Sequence, residues 1–168
     1  YDPVELGIVA SYNKPGGNVT GATFFAGALV PKRLELLAEL APATRVFGFL
    51  VNPASPTTRG QIEDANIAAR RLARELIVLS ASSPPEVEAA FETLAARGDA
   101  ALLVGGDAWF AAQRERFAAL ATRHRLPVMY DRREYTQVGG LVSYGSSIED
   151  AWRKVGVYAG RVLKGEKP

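Results

Sequence analysis

Residues 45–82 constrain the fold of this chain more than any other stretch. After Arg45, the run Val46-Phe47-Gly48-Phe49-Leu50-Val51 is apolar throughout and rich in β-branched and aromatic side chains. A strand buried on both faces reads this way, because neither face can carry polar groups. Asn52-Pro53-Ala54-Ser55-Pro56 stops the run, since a central strand cannot hold two prolines. A helical pattern follows, with Ile62, Ala65, Ala69, Leu72, Ala73 and Leu76 on one face, and Leu76-Ile77-Val78-Leu79 begins a second strand. Strand, turn, helix, strand is one βαβ unit.

The remaining chain repeats this alternation. Val4 to Tyr12 reads as one or two helical turns, and Asn13-Lys14-Pro15-Gly16-Gly17-Asn18 as a loop. Residues 19–25 read as a strand. A helix starts near Pro31, buries Leu34, Leu37, Ala38 and Ala41, and ends at Pro42. Past the βαβ unit, Ser83-Pro84-Pro85-Glu86 carries a capping-box signal, and Val87, Ala90, Phe91, Leu94 and Ala95 follow at helical spacing. Residues 100–104 form the next strand. A helix with Phe110, Phe117, Leu120 and Ala121 comes after it. Short strands are expected at 126–130 and 141–144, with a brief helix over 132–138 between them. Ser147-Ile148-Glu149-Asp150 caps a last helix bearing Trp152, Val155, Ala159 and Val162. The fold class is therefore α/β: a three-layer, mostly parallel Rossmann-like sheet with helices on both faces.

Composition narrows the function. Apolar residues make up 48% of the 168 and charged residues 23%, so a core of ordinary size can form. The net charge of +2 comes from interleaved acids and bases, which gives no nucleic-acid surface. The absence of cysteine removes thiolate metal sites and cysteine nucleophiles. With a single histidine, His124, a metal cage or a histidine-based triad is hard to assemble, and no phosphate-binding glycine loop follows a strand. No catalytic residue, metal or cofactor is expected. The chain opens at Tyr1-Asp2-Pro3 without a leader and reads as a piece of a longer protein.

In an open parallel sheet, ligands bind beyond the carboxyl ends of the strands. Those ends carry Asn52 and Ser55, Ser80 and Ser82, Asp107, Tyr130 and Asp131, then Tyr144, Gly145 and Ser146. Each has a purely structural reading as well. Ser55, Asp107 and Ser147 suit helix N-caps, Asn52 suits a turn, and Tyr130 and Tyr144 suit the edge of a core. Phe110 reads as packing, and Trp109 either packs or lines a cleft. His124 and Arg70, Arg71 and Arg74 read as solvated helix positions.

One motif points to a family. Pro15-Gly16-Gly17-Asn18-Val19-Thr20-Gly21 resembles the signature of a family of bacterial ABC-transporter substrate-binding proteins. Tyr1-Asp2-Pro3-Val4, residues 32–42, Val51-Asn52-Pro53, His124-Arg125-Leu126-Pro127, residues 139–145 and Leu163-Lys164-Gly165 fit the same pattern in the same order. The resemblance implies a periplasmic-binding fold with two Rossmann-like lobes, a solute between them, and hinge closure that presents the complex to a membrane permease. Relatives include tryptophan- and tyrosine-binding receptors. On this reading residues 1–18 are the tail of the first lobe, residues 19–168 are the second lobe, and the rest of the first lobe is a partner outside this chain. The protein would be extracytoplasmic, either periplasmic or lipid-anchored, and not an enzyme.

The resemblance also places Asn52, Ser55, Asp107, Tyr130, Tyr144 and Gly145 at the cleft. Asp107 would pair with a ligand ammonium. Asn52, Ser55 and the helix start behind them would hold a carboxylate, and Tyr144 or Tyr130 would stack on an apolar or aromatic group. Two other readings compete: the effector domain of a transcription regulator with a related two-lobed fold, and a small α/β enzyme.

Overall fold

The computed structural model describes residues 3–4, 6–23 and 27–166. The chain divides into two compact units, Ala26–Gly145 and the pairing of Tyr1–Phe25 with Ser146–Pro168.

The unit Ala26–Gly145 holds a five-stranded sheet: β1 (Val46–Val51), β2 (Glu75–Ser80), β3 (Ala100–Val104), β4 (Val128–Tyr130) and β5 (Val142–Ser143). Their order across the sheet is β2-β1-β3-β4-β5, and every neighbouring pair is parallel. The apolar run that read as a doubly buried strand, β1, is central, and so is β3. All six residues of β1 and all five of β3 are buried. β2 lies at the edge, and Val78 on it stays 37% exposed.

Side-chain alternation along the strands builds two cores. Phe47, Phe49, Val51, Leu103 and Met129 point to one face, where α1 (Val30–Leu40) and α2 (Thr58–Arg71) cover them. Val46, Leu50, Leu102, Val104 and Val128 point to the other, under α3 (Pro84–Ala95) and α5 (Arg114–His124). Each fully buried Phe or Leu contributes roughly 1.5–3 kcal/mol. The capping box at the start of α3 is present, with Ser83 and Glu86 satisfying each other's backbone N–H groups. The helix expected after Gly105 is split at Gln113 into α4 (Ala108–Ala112) and α5.

Several expectations fail here for identifiable reasons. Residues 19–23 form no strand. Their β-branched composition favours a strand only where a neighbour pairs with it. Phe24 and Phe25, the end of that expected strand, lie outside the described residues. Residues 6–12 form turns and bends instead of a helix, and Gly7 stands at φ 66°, which breaks helical continuity. The brief helix expected over 132–138 shrinks to a 3₁₀ turn, Thr136–Val138, closed by Gly139 at φ 99°. His124 is half-buried and not a fully solvated position. Its ring lies 6.5 Å from that of Phe91, with Nε2 buried.

In the second unit, Ser147 caps α6 (Ile148–Leu163) by accepting from the Asp150 N–H at 3.1 Å. No residue of α6 is buried, and Trp152 is 70% exposed. The segment Pro3–Thr23 and Tyr158 line a hollow of about 440 Å³ within this unit. Among the described residues no helix is long and apolar enough to cross a membrane.

Candidate functional site

The strand order locates the site. From β1 the chain moves outward to β2 through α2; from β3 it moves the opposite way to β4 through α4 and α5. The two connections therefore part at the carboxyl ends of the neighbouring strands β1 and β3. A crevice opens at such a switch point. Asn52 and Ser55 follow β1, and Gly105, Gly106 and Asp107 follow β3, so three of the residues expected at the cleft meet here. With Val51, Thr58 and Gln61 they line a narrow crevice, too tight to enclose a water molecule.

Asp107 is the N-cap of α4. Its Oδ1 accepts the N–H groups of Trp109 at 2.8 Å and Phe110 at 3.1 Å. Its Oδ2 accepts from Nδ2 of Asn52 at 3.2 Å. Asn52 is oriented by its other side-chain atom, because Oδ1 accepts the Ala54 N–H at 3.0 Å and so turns Nδ2 toward Asp107. The Asn52 carbonyl is also held, by the hydroxyl of Thr58 and the N–H of Ser55. A carboxylate offers about four acceptor positions and an amide nitrogen two N–H bonds. Among the described residues, these contacts leave one acceptor position on Asp107 Oδ2 and one N–H on Asn52 Nδ2 side by side.

Ser55 does not cap α2. The N-cap position falls on Thr57, which makes no side-chain cap bond, and the Ser55 hydroxyl instead lies 3.1 Å from that of Thr57. The helix thus starts two residues later than a Ser55 cap would place it. The first turn of α2 therefore keeps N–H groups that no capping side chain takes up, at the positive end of the helix dipole.

Tyr130 is not at the rim. It is fully buried, its ring stacks on Tyr135 with centroids 4.3 Å apart, and its hydroxyl faces the Phe117 carbonyl at 3.4 Å. Its side chain points to the α3/α5 face of the sheet, as that of Val128 does, and Phe117 and Tyr135 cover it there. Burial pushes both phenols well above the usual tyrosine range.

Tyr144 and Gly145 leave β5, two strands from β3, which is roughly 10 Å by ordinary strand spacing. Tyr144 is 40% exposed, and its N–H bonds the Tyr130 carbonyl at 3.0 Å. Gly145 passes so close to the Asp131 carbonyl that a Cβ would overlap it. Asp131 is itself buried and forms a two-pronged ion pair with Arg132, its Oδ2 at 2.8 Å from Nη2. Trp109 is half-buried against the α3/α5 core, and Phe110 is fully packed in it.

Sequence reasoning missed Gln61, Thr57 and Arg33. The signal for Gln61 was its spacing, four residues before Ala65 on the inner face of α2, where only apolar residues are expected. Arg33 likewise precedes Leu37 by one helical turn and is 1% exposed.

Over residues 1–168 the sequence matches the family described as ABC transporter substrate binding protein. The chain belongs to the ABC transporter substrate-binding protein family. Members of the family bind solutes. A tyrosine-binding protein of Clostridioides difficile is 28% identical over 165 residues, covering 98% of this chain and 47% of that protein. A ligand-free, open substrate-binding protein with adhesive properties from Clostridium difficile superposes with a TM-score of 0.70 at 28% identity, over 99% of this chain and 55% of that one. An ABC domain from Streptococcus pneumonia, solved in complex with L-Trp, shares the fold at a TM-score of 0.82 and 24% identity, covering 99% of this chain and 56% of its own. This substrate-binding family chain thus spans about half the length of the relatives it matches.

Proposed function

We propose that this chain supplies the second lobe of an extracytoplasmic solute receptor for an ABC importer, and that the receptor binds an amino-acid-like solute. The sheet-bearing unit Ala26–Gly145 is the body of that lobe, residues 1–18 are the tail of the first lobe, and residues 19–168 begin and complete the second. The rest of the first lobe supplies the other wall of the cleft, and a membrane permease receives the loaded receptor. The protein works by binding, without turnover.

The observation that carries this reading is the Asn52–Asp107 pair at the β1/β3 switch point. It presents an N–H donor and a carboxylate acceptor next to each other, the complement of an α-carboxylate and an α-ammonium. The uncapped start of α2 favours the carboxylate on the Asn52 and Ser55 side. Asp107 then faces the ammonium. Tyr144, exposed at the end of β5, is the side chain for an apolar or aromatic group, with Gly145 allowing the close turn beneath it. Tyr130 supports this rim from within the core and does not touch the solute. The tyrosine and L-Trp bound by the relatives named above fit the same head-group chemistry.

A thermal-shift screen of the two-lobed receptor against amino acids, sugars and small anions tests the reading. A ligand that binds only the folded state raises the unfolding midpoint by mass action. Stabilisation by L-tryptophan, L-tyrosine or another free amino acid is expected. Stabilisation by sugars alone would overturn the amino-acid reading.

A further inference from the structure

We infer that Gln61 is a positioning residue for the ligand head group, acting by fixing the Asn52 and Asp107 turns at one separation; the inference rests on the proposed function above. Gln61 is 5% exposed and sits one turn into α2, behind the switch point. Its Oε1 accepts the N–H of Gly106 at 3.3 Å, across to the turn that follows β3. Its Nε2 donates to the Thr57 hydroxyl at 2.8 Å, and that hydroxyl lies 3.1 Å from Ser55 Oγ, on the turn that follows β1. One amide thus joins both rims of the crevice. The joint is needed because the turns belong to different crossover connections. Backbone pairing ends beside them, at Gly105 N–H to Leu50 O, 2.8 Å. Beyond that bond, among the described residues, the Asn52–Asp107 contact and the Gln61 bridge are the hydrogen bonds that connect the two turns.

Polar groups aimed at a ligand are effective when they are already in place before it arrives. The free N–H of Asn52 and the free acceptor of Asp107 form a matched pair only while their separation is held. The amide is also suited to its place: it donates on one side and accepts on the other, while a buried carboxylate would add charge beside Asp107 and a methionine would bridge nothing.

The test is a double-mutant cycle in the two-lobed receptor, read by calorimetric affinity for L-tryptophan and L-tyrosine. Gln61→Met keeps side-chain length and apolar packing while removing both bonds. Hydrogen exchange at the Gly106 amide is measured in the same variant, without ligand. We expect faster exchange at Gly106 and an affinity reduced about tenfold, the effect of one misplaced hydrogen bond to the ligand. We also expect Gln61→Met to have little further effect once Asn52→Ala is present, because a positioning residue acts through the group it positions. Equal losses from Gln61→Met in both backgrounds, or unaltered affinity while Asn52→Ala weakens binding, would overturn the inference. If Asn52→Ala and Asp107→Ala both leave affinity intact, the head-group site itself is wrong, and the inference falls with it for that separate reason. If Gln61→Met fails to fold, Thr57→Val, which removes only the far end of the bridge, is read by the same cycle against the same outcomes.

Discussion

Arg33 Nε donates to the carbonyl of Tyr144 at 2.7 Å, joining positions 111 residues apart in the chain. The guanidinium is buried at the start of α1, and the carbonyl lies where β5 ends. Burial lowers the Arg33 pKa, and the neighbouring Asp131 carboxylate opposes that shift. This buried cation therefore fixes the exit of the last strand against the first helix of the sheet-bearing unit. Arg33→Met keeps the stem and removes the donor. It should cost about 1–3 kcal/mol, the effect of stranding a buried acceptor. Urea unfolding of variant and parent measures it, and coincident curves would mean that the bond adds nothing.

Gly145→Ala tests the same corner from the backbone. A Cβ at this position overlaps the Asp131 carbonyl oxygen, and backbone atoms cannot rotate away as a side chain can. The expected loss is about 1–3 kcal/mol, the usual effect of overpacking. The exchange rate of the Tyr144 amide, bonded to the Tyr130 carbonyl, should rise with it. A protected Tyr144 amide in the variant would show that the turn absorbs the methyl group.

Alkaline pH should destabilise the fold through Tyr130 and Tyr135. Their folded pKa values are raised by burial above the ordinary 10.0. Above pH 10 the unfolded chain loses these protons while the folded chain retains them. Stability is thus fully present below that pH and falls as pH rises past it. Phenolate absorbance should appear together with unfolding for these two residues. Tyrosines that titrate at their ordinary value in the folded protein would contradict the buried stack.

Much of this fold could be read from the sequence, but only where one constraint acts alone. β1 and β3 were legible because both their faces are buried, so composition needs no partner to explain it. α3 was legible because Ser83 and Glu86 form a local cap that depends on nothing distant. Residues 19–23 misled because β-branched residues say nothing about whether a pairing strand exists. Tyr130 misled because a residue at a strand end reaches the rim only if nothing covers its side chain, and Phe117 and Tyr135 cover this one. Gln61 and Arg33 stayed hidden because a polar residue on a helix reads as solvated until the residue it reaches, 45 or 111 positions on, is known. At the site, Asn52 and Asp107 were placed on one rim by topology, but their mutual bond was not foreseeable.

Acid pH should weaken the start of α3. The Glu86 carboxylate accepts from Ser82 N–H at 2.7 Å, Ser82 Oγ at 3.0 Å and Ser83 N–H at 3.1 Å. These bonds hold its pKa below the ordinary 4.5, with the Ser82 backbone bond the largest cause. The contribution is therefore present above pH 4.5 and is lost as pH falls through the lower folded value. Glu86→Gln should unfold earlier than the parent at neutral pH, and the gap should close in acid. A gap that persists at low pH would show that charge is not what the cap uses.

On the reading proposed above, the Asn52–Asp107 pair receives the charged head group of an amino acid. Calorimetric titration of the two-lobed receptor with L-tryptophan and L-tyrosine, comparing parent with Asp107→Ala, measures this. If the claim holds, whichever amino acid binds the parent loses at least about tenfold in affinity, since a charge-assisted bond to its ammonium is removed. Parent-like affinity in a folded Asp107→Ala receptor would contradict it.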